Sequence, residues 1–571
     1  MNTRRKFIKN TSALTVGLIA NNFLFNSKAY SKDNIDNKIL GTENLFQNPP
    51  LFDTTNVMMI MNSTHEFVSG VNSNIISLGG GFPAPTIKVK KGDTLNVSFH
   101  NMLGENTNIH WHGIYAPENM DGHPSNFLKP NQAFTYEYQI IQRAGTYYYH
   151  SHNHMTTAKQ VYNGMYGFLI IVDDEEKSLN LPSAEFEMLM AIQDIRLGTN
   201  DKLLYAPNAL DKMEGWLGNI TLLNGIMNTV KKVSKDSYRL RLVNASNARI
   251  YKLAFDDLRT FNIIGTDGGL LEKPFEVTSV FLGPAERLDI IVDFKGDSVG
   301  NSVKFISESY DPPVGHMGKP TYPQGIKLDI IRFDILDESK SSFTLPLKLS
   351  VIEKIPELNS VKTRNFELQM QMMSMKHTIN NKFYDMDRID ETINFGDIEI
   401  WNFVNKDIDM MHPIHIHGLQ FQILSRSSSP EIPEYEQGWK DTFLINGGET
   451  VRVIAKFNGY EGKYLLHCHN LEHEDDGMMH NYNVINSTSV ENESKSAIEI
   501  YPNPAKDFVT ITNIDQSNIN DLKIFDFNGN IITKYKSSLN NGILTINLSD
   551  ISSGNYFITL KNQLLKFSIV K

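Results

Sequence analysis

The chain has 571 residues, which is too long for one hydrophobic core, so several compact domains are expected. Hydrophobic residues make up 40% and charged residues 21%, a composition typical of globular rather than fibrous or disordered proteins. The formal net charge of −11 would repel a phosphate backbone, so we expect no nucleic acid partner.

The N-terminus has the features of an export signal. Arg4 and Arg5 precede an apolar stretch over about residues 13–25, and small residues follow near Ala29. This order resembles a twin-arginine signal, which we place at residues 1–32 with cleavage near Ala29. The apolar stretch is too short to span a bilayer, which argues against a membrane anchor. The pattern predicts export through the periplasm to the cell surface or the medium.

Residues from about 50 to 485 form short apolar runs rich in Val, Ile, Phe and Tyr, broken by turn-forming residues. The spacing of about eight to twelve residues is typical of an all-β sandwich. Alternation of apolar and polar residues in 238–243 predicts a strand with one face towards solvent. A similar strand-and-turn phrase at 393–401 predicts repeated domains, which we place at residues 45–175, 176–340 and 341–487.

The last part of the chain has a different composition. Residues 488–497 are rich in Ser, Asn and Glu, which is typical of a linker. Asn-Gly and Ser-Gly turns in 498–571 predict a small β-sandwich. The phrase YPNP at 501–504 and the terminal position resemble the C-terminal sorting domain of the type IX secretion system, which implies the secretion machinery as a partner. A carbohydrate-binding or adhesive β-domain is the alternative.

Histidines are distributed unevenly along the chain. Ten of the seventeen fall into four short clusters. The clusters contain His110 and His112; His150 and His152; His412, His415 and His417; and His467, His469 and His473. The remaining seven are expected to be ordinary core or surface residues: His65, His100, His123, His154, His316, His377 and His480.

Each cluster contains a His-x-His pair, and this spacing predicts metal ligands on strands. Side chains two residues apart on a strand share a face, with Cα atoms roughly 6.5–7 Å apart, so each pair can present two imidazoles to neighbouring metals. Neutral imidazole suits copper, zinc, iron and nickel, and copper forms the most stable complexes with nitrogen ligands. The spacing of the pairs alone does not exclude zinc.

Cys468 is the only cysteine, and its neighbours favour a metal ligand over a small buried hydrophobe. On a strand its side chain points opposite to the histidines on either side, so the thiolate faces one site and the two imidazoles face another. A thiolate with His412, His473 and a thioether at Met478 matches the trigonal site with a weak axial methionine that is typical of blue electron-transfer copper.

Methionines cluster at 370–375. Met370 and Met372 alternate with Gln369 and Gln371, which predicts a strand in which methionine fills the core, rather than a store for Cu(I). Met410, Met411 and Met479 neighbour the predicted ligands, where they either shape substrate access or pack in the core.

Residues 45–487 resemble a three-domain multicopper oxidase, the family of laccases, bacterial cuprous oxidases and spore-coat oxidases. All four histidine clusters of that family are present, with the supporting phrases GMYG at 164–167 and WKDT at 439–442. The resemblance implies an all-β fold of three cupredoxin-like Greek-key β-sandwich domains, to which the small C-terminal β-sandwich is added.

The resemblance also implies four copper ions, and none of the expected ligands is missing. The type 1 copper takes His412, Cys468, His473 and the axial Met478. The type 2 copper takes His110 and His415. One type 3 copper takes His112, His150 and His469, and the other takes His152, His417 and His467.

The activity implied by the resemblance is one-electron oxidation of a substrate coupled to four-electron reduction of dioxygen to water. Cys468 then carries electrons from the type 1 copper. The reductant is a phenol, an aromatic amine or Cu(I), and we expect a monomer. Asp121 and Glu474 match acidic positions of bacterial relatives and are candidates for supplying protons, although solvated surface acids or turn caps are the alternative.

Two other functions use the same ligand types. A copper nitrite reductase also has cupredoxin domains and a blue copper, but the paired histidines at both ends of the chain favour dioxygen. A copper-free or copper-storage cupredoxin scaffold is the second alternative, and the intact ligand set argues against a copper-free one.

Overall fold

The computed structural model describes residues 43–312, 322–486, 500–512, 522–526, 530–540, 542–560 and 563–571. Strands dominate these residues and the helices are short, which confirms the predicted all-β fold class. The chain forms two compact units, one up to Ile485 and one from Asn486. The predicted export signal and linker lie outside the described residues. Within the described residues, no helix is long and apolar enough to cross a membrane.

The first sandwich has two four-stranded sheets around a core that includes Phe99 and Trp111. A short strand, β1 (Asn44–Leu45), precedes it and pairs with the second sandwich. The strands of the first sandwich are β2 (Val57–Val68), β3 (Val71–Leu78), β4 (Ile87–Lys90), β5 (Thr94–Asn101), β6 (His110–His112), β7 (Ala133–Gln139), β8 (Gly145–His150) and β9 (Tyr166–Val172). The sheet orders are β3-β2-β5-β7 and β4-β9-β8-β6, so neighbours in space are often distant in sequence, as in Greek-key folds.

The second sandwich has two six-stranded sheets and a core that includes Leu240, Ile290 and Phe333. Its own strands are β10 (Glu187–Ile195), β11 (Ile220–Leu223), β12 (Thr229–Ser234), β13 (Ser237–Asn244), β14 (Tyr251–Phe255), β15 (Phe261–Thr266), β16 (Gly269–Val277), β17 (Ser279–Leu282), β18 (Arg287–Asp293), β19 (Ser302–Ser307) and β20 (Leu328–Asp337). The sheet orders are β1-β12-β20-β19-β14-β17 and β11-β10-β13-β18-β15-β16.

The third sandwich has two five-stranded sheets, ordered β22-β21-β24-β28-β26 and β23-β30-β29-β25-β27. Its strands are β21 (Lys362–Gln371), β22 (Lys376–Ile379), β23 (Glu391–Asn394), β24 (Ile398–Asn405), β25 (His412–Ile416), β26 (Phe421–Arg426), β27 (Thr442–Ile445), β28 (Thr450–Lys456), β29 (Gly462–Cys468) and β30 (Met479–Ile485). The phrase at 393–401 spans β23, a turn and β24. Gly396 lies in that turn with a φ of 91°, a left-handed conformation that favours glycine.

The prediction that Met370 and Met372 form a buried core stripe is wrong. β21 ends at Gln371, which pairs with Lys376 at the start of β22, so the residues between them form the tip of a hairpin. Met370 is half-buried, whereas Met372 is 68% exposed. The alternation of methionine and glutamine continues past the end of the strand, so the pattern predicts a strand that is longer than the real one.

Helices connect the strands at a few places that matter for the site. They are α1 (Thr157–Tyr162), α2 (Asp174–Ser178), α3 (Ala209–Glu214) and α4 (Leu471–Asp475), with 3₁₀ turns at Glu118–Met120, Ala184–Phe186, Glu357–Asn359 and Glu434–Glu436. At the end of α4, the Asp475 carboxylate accepts hydrogen bonds from the Thr157 and Ala158 N–H groups of α1, each at 3.0 Å. The third sandwich thereby caps a helix that belongs to the first.

The second compact unit is a small β-sandwich, as predicted. Its sheets are ordered β31-β32-β36-β35 and β34-β33-β37-β38 around a core that includes Ile524, Ile546 and Phe567. Its strands are β31 (Ile500–Tyr501), β32 (Phe508–Ile511), β33 (Lys523–Asp526), β34 (Ile531–Ile532), β35 (Lys536–Asn540), β36 (Ile543–Asn547), β37 (Gly554–Leu560) and β38 (Gln563–Ile569).

Candidate metal centres

The first two histidine clusters lie on neighbouring strands of the first sandwich. β6 and β8 pair antiparallel, with His110 opposite His150 and His112 opposite Tyr148. Directly opposite residues share a face of the sheet, as do residues two apart on one strand. The three imidazoles therefore project to the same side, and His152 follows just after β8.

The other two clusters lie on neighbouring strands of the third sandwich. β25 and β29 pair antiparallel, with His415 opposite His467 and Ile414 opposite Cys468. Cys468 belongs to the apolar core of the third sandwich, whereas the two opposite histidines face away from it. The predicted alternation of thiol and imidazole around Cys468 is therefore present in the backbone pairing.

The four His-x-His pairs converge between the first and third sandwiches. His110 Nε2 lies 3.4 Å from His415 Nε2, although the two residues are 305 positions apart in the chain. All eight imidazoles of the pairs are buried: His110, His112, His150, His152, His415, His417, His467 and His469. The structure thus brings together every histidine pair that the sequence singled out.

Within this cluster, one group of three contains His112, His150 and His469. His150 Nε2 lies 3.3 Å from His112 Nδ1 and 3.4 Å from His469 Nε2. His112 reaches the group through Nδ1 because its Nε2 lies 2.9 Å from the Thr442 hydroxyl. His150 Nε2 therefore lies near nitrogens from two other strand ends, and the ring centroids of His112 and His469 are 5.1 Å apart.

A second group of three contains His152, His417 and His467. His467 Nε2 lies 3.3 Å from His152 Nε2 and 3.1 Å from His417 Nε2. These three ligand atoms lie close enough together to hold one metal ion. The group combines one residue of the first sandwich with two of the third, so it exists only when the two domains are packed together.

The hydrogen bonds on the outer side of the rings test whether this cluster fits a metal. His110 Nδ1–H donates to the Asp121 carbonyl at 2.7 Å, and His415 Nδ1–H donates to the Asp441 carbonyl at 2.8 Å. A neutral imidazole has one N–H, so the inner Nε2 atoms carry lone pairs. Two lone pairs facing each other at 3.4 Å have no proton to share, and a bound cation satisfies both. The donor set fits a metal.

Burial keeps these imidazoles in the form that binds metals. It lowers the pKa of His110 well below its usual range, and it lowers the pKa of His150 to about 3. Neighbouring imidazoles lower both pKa values further, because two positive charges in one buried site repel. His110 and His150 are therefore uncharged and ready to coordinate a metal at neutral pH.

We expect the copper-free protein to lose stability as the pH falls below about 6.5, the pKa of histidine in an unfolded chain. His150, with a folded pKa of about 3, then binds a proton in the unfolded state but not in the folded one. Each histidine with a pKa lowered in this way reduces the free energy of unfolding by about 1.4 kcal/mol for each pH unit below about 6.5. Guanidinium unfolding between about pH 6.5 and 5 checks this. A His150→Gln variant should show a shallower slope, and a flat profile contradicts the prediction.

The thiol of Cys468 lies in a second, separate group. Its Sγ is 3.5 Å from His412 Nδ1 and 3.6 Å from His473 Nδ1. Burial raises the pKa of the Cys468 thiol, so the thiolate requires a bound cation. Met478 is buried in the same core, and its carbonyl accepts the Cys468 N–H at 3.1 Å.

Two oxygen atoms orient the imidazoles of this second group. His473 Nε2–H donates to the Met213 carbonyl at the end of α3 at 2.8 Å. His412 Nε2 lies 3.4 Å from the Asp407 carboxylate. Each contact leaves Nδ1 pointing at Cys468, which is how outer hydrogen bonds usually fix a metal-binding imidazole.

Asp121 is completely buried beside the histidine cluster rather than on the surface. Its Oδ2 accepts a hydrogen bond from His417 Nδ1 at 2.8 Å, while its Oδ1 has no hydrogen-bond partner. Burial raises the pKa of this carboxyl well above its usual range, and the nearby Glu118 charge raises it further. The alternative of a solvated acid does not apply to this residue.

Glu474 is also buried, on the other side of the cluster. Its Oε1 lies 3.4 Å from His152 Nδ1, and its Oε2 lies 3.2 Å from His467 Nδ1. Neither oxygen has the geometry of a hydrogen bond, so both remain available to another partner. Both predicted acids therefore contact imidazoles of one group of three.

Comparison with known proteins places this arrangement in one family. Family models described as multicopper oxidase match residues 60–176, 205–312 and 353–488. The multicopper oxidase mco of Staphylococcus haemolyticus is 32% identical over 427 residues, which cover 74% of this chain and 86% of that protein. The chain belongs to the multicopper oxidase family. It is therefore an oxidoreductase that uses oxygen, and neither nitrite reduction nor a scaffold role is favoured.

Other relatives of this multicopper oxidase agree. A laccase of Bacillus subtilis is 31% identical over 464 residues, which cover 70% of this chain and 88% of that protein. The crystal structure of McoA multicopper oxidase from Aquifex aeolicus has a TM-score of 0.71 and 33% identity, covering 78% of this chain and all of that one. Membership of the family implies copper as the cofactor, with dioxygen and a reductant as partners.

The C-terminal sandwich of this multicopper oxidase also has known relatives. A family model described as a secretion system C-terminal sorting domain matches residues 499–570. This match confirms the predicted sorting domain and implies an interaction with the secretion machinery. The protein is therefore exported to the cell surface or the medium.

Arg287 and Asp441 fix two histidines of this multicopper oxidase, and neither role was predicted from the sequence. Asp441 Oδ1 lies 3.1 Å from His112 Nε2, and the Asp441 carbonyl accepts from His415. Arg287 of the second sandwich donates to Asp441 at 2.7 Å, and both side chains are completely buried. Asp441 lies in the phrase WKDT, so its position could have been noticed, whereas nothing in the sequence marks Arg287.

His377 was expected to be an ordinary histidine, and the structure places it beside the thiol group. Its ring lies 3.8 Å from that of His473, measured between centroids. Its Nε2 lies 3.1 Å from the Met213 carbonyl, the acceptor that His473 also uses. A single histidine outside any cluster gives no sequence signal for this contact.

Proposed function

We propose that this multicopper oxidase binds four copper ions and couples one-electron oxidation of a reductant to four-electron reduction of dioxygen to water. The observation that carries this proposal is the convergence of inward-facing imidazole nitrogens from both ends of the chain, such as His110 and His415 at 3.4 Å. The outer N–H groups of those two rings are already bonded to carbonyls, so the inner lone pairs fit metal ions rather than protons.

The proposed ligands follow the family pattern. The type 1 copper takes His412, Cys468, His473 and Met478. The type 2 copper takes His110 and His415. The two type 3 coppers take His112, His150 and His469, and His152, His417 and His467. Each of these sets draws support from the distances between the nitrogens, or between nitrogen and sulfur, within it.

Bound copper supplies the one-electron redox chemistry that dioxygen reduction needs. The chain contributes a direct covalent connection, because Cys468 is bonded to His467 and His469 on either side. Its thiol faces the type 1 position, and its two neighbours belong to different groups of three. One strand end therefore contacts three of the four proposed metal positions.

Asp121 and Glu474 are proposed to supply protons. Asp121→Asn and Glu474→Gln are each expected to lower the rate of oxygen uptake by about 10²-fold or more, since each removes a proton donor without changing the shape of the side chain. Both variants should keep the blue absorbance, because neither residue touches Cys468. Steady-state oxygen uptake and visible spectra measure the two effects.

A matched control is available two residues away from Glu474. Asp476 carries the same type of charge but is partly exposed, and its carboxylate is 3.6 Å from Lys376. Asp476→Asn is expected to keep the wild-type rate. Equal losses in the Glu474 and Asp476 variants would show that charge, rather than proton supply, controls turnover.

The proposed reductants are phenols, aromatic amines and Cu(I). The partly exposed Asp407 carboxylate contacts the His412 imidazole. This contact supports electron entry into the proposed type 1 site from the side of His412. The test is oxygen uptake by copper-loaded protein with Cu(I), a dimethoxyphenol and a diamine, together with metal analysis. Uptake with at least one reductant and four copper ions per chain is the expected result. A copper-loaded protein that consumes no oxygen with any of them overturns the proposal.

We also propose that export proceeds through the periplasm, and that the protein is a monomer. The sorting domain supports export, and the N-terminal arginine pair supports a twin-arginine route for the first membrane. Replacing Arg4 and Arg5 with lysine should retain the precursor in the cytoplasm, as fractionation and immunoblotting would detect. Light scattering of the secreted protein measures its mass.

A further inference from the structure

Asn108 is a buried amide that joins two segments of the first sandwich beside the histidine cluster. Its side chain is completely buried, two residues before His110. Its Nδ2 donates to the Gly122 carbonyl at 2.7 Å and to the His152 carbonyl at 3.2 Å. Its Oδ1 accepts a hydrogen bond from the His152 N–H at 2.9 Å. Both N–H groups and the carbonyl of the amide are therefore used, and they tie Gly122 and the His152 backbone to one point.

The turn held by this amide contains Asp121, which contacts two of the proposed ligands. The Asp121 carbonyl accepts a hydrogen bond from His110 Nδ1 at 2.7 Å, and its carboxylate accepts one from His417 Nδ1 at 2.8 Å. Gly122 has a φ of 84°, and a Cβ at this position would lie 2.2 Å from the Ile109 carbonyl oxygen. The turn is therefore pressed against the chain that leads into β6, and a shift of Gly122 moves both contacts of Asp121.

A second contact ties the same turn to the third sandwich. His123 Nε2 lies 2.9 Å from Asn481 Oδ1. Asn481 Nδ2 donates to the Asp385 and Arg388 carbonyls at 2.9 and 2.7 Å, so its oxygen is the acceptor for His123. This contact holds the far end of the turn. Loss of the Asn108 amide is therefore expected to displace the turn rather than to unfold it.

We propose that Asn108 is a positioning residue for dioxygen reduction, because it holds Asp121 and His152 in a fixed arrangement. The inference rests on the proposed function, in which Asp121 supplies protons and His152 belongs to the same group of three as His417. A proton donor acts only within hydrogen-bond distance of its acceptor. A displacement of about 1 Å at a reacting group can cost about 10²-fold in rate. The hydrogen bonds of Asn108 all go to backbone atoms, so it acts through the residues that it positions.

The test compares two asparagines that have the same pattern of hydrogen bonds. Asn101 is also completely buried in the first sandwich, and its Nδ2 donates to the Glu105 and Leu128 carbonyls, each at 2.9 Å. Its Oδ1 accepts from the Leu103 N–H at 2.9 Å. None of these partners is a proposed metal ligand or proton donor. Asn108→Ala and Asn101→Ala therefore remove equivalent bonds, and guanidinium unfolding of the copper-free proteins should show similar losses of stability.

The blue absorbance of the copper-loaded proteins reports the two halves of the reaction separately. Mixing oxidised protein with a reductant without oxygen bleaches it, and mixing fully reduced protein with dioxygen restores it. Asn108→Ala should leave the bleaching rate unchanged and slow the restoration by about 10–100-fold, the usual effect of losing a group that orients metal ligands. Asn101→Ala should leave both rates unchanged. Electron paramagnetic resonance should show an altered type 2 hyperfine splitting only in Asn108→Ala, because the Asp121 carbonyl orients His110.

A second variant at the same position covers the case in which Asn108→Ala does not fold. Asn108→Asp keeps the size of the side chain and the acceptor for the His152 N–H, but it loses both N–H donors, so it should show the same slow step.

Copper content is measured on the same samples. If copper content is equal and dioxygen restores the blue absorbance at the same rate in the Asn108 and Asn101 variants, the positioning role is refuted and the proposed function stands. Bleaching that slows as much as restoration also refutes it, since the damage is then general. If dioxygen does not reoxidise the fully reduced wild-type protein, the proposed function fails and the role of Asn108 fails with it.

Discussion

Replacing Cys468 with serine is expected to abolish the blue absorbance and steady-state turnover together. Serine is nearly the same size, so packing changes little, but its hydroxyl does not supply the thiolate that the trigonal site requires. Copper analysis should find one ion fewer per chain, because the other proposed ligands do not depend on this sulfur. Visible spectra and oxygen uptake with the best reductant measure the two losses.

Met478→Leu is the matched variant for this experiment. It removes the proposed weak axial ligand and leaves Cys468, His412 and His473 in place, so the blue absorbance should remain while the reduction potential changes. Leucine and methionine have similar volumes, and the swap costs less than about 1.5 kcal/mol in a core. A Cys468→Ser protein that still turns over would show that electrons do not enter through this thiol.

The fold could be predicted from the sequence because strand alternation is a local signal. The strand predicted at 238–243 lies within β13, but every residue of β13 is buried, so the predicted solvent-facing side is wrong. The phrase at 393–401 covers the end of β23, the turn and the start of β24. The prediction that Met372 is buried in a strand is wrong for a local reason as well. A hairpin tip can continue the alternation of the strand before it, and only the pairing of Gln371 with Lys376 fixes where the chain reverses.

The metal positions were partly predictable for a similar reason. Spacing of two residues guarantees that both histidines of a pair share a strand face, and it guarantees that Cys468 faces the opposite way. The contact between His110 and His415 depends instead on how two sandwiches pack, and no local pattern encodes that. The resemblance to a family supplied it.

Residues that hold the ligands from outside are the hardest to find in a sequence. Arg287 comes from the second sandwich and meets Asp441 of the third beside His112 of the first. Three domains contribute one side chain each, so sequence neighbours give no indication of the contact. Buried charge is the physical signature of such a site, and burial becomes visible only in the structure.

Removing the carboxylate of Asp441 is expected to be the most destabilising single change. Asp441→Ala leaves Arg287 charged, buried and without its bidentate partner, and breaking a buried ion pair in this way costs about 3–5 kcal/mol. The His112 imidazole loses a contact too, which should weaken metal binding by about 10–100-fold. Guanidinium unfolding of the copper-free protein measures the first effect, and copper titration measures the second.

Two comparisons isolate the buried charge as the cause. Arg287→Met combined with Asp441→Leu removes both charges and should destabilise the protein less than Asp441→Ala alone, although Asp267 then loses its contact with Arg287 at 3.6 Å. Arg452 and Glu357 form an exposed pair at 2.9 Å in the same third of the chain, and Arg452→Ala should cost less than about 1 kcal/mol. Equal costs at the two sites would mean that Asp441 acts by packing alone, since only Asp441→Ala leaves a buried guanidinium without its bidentate partner.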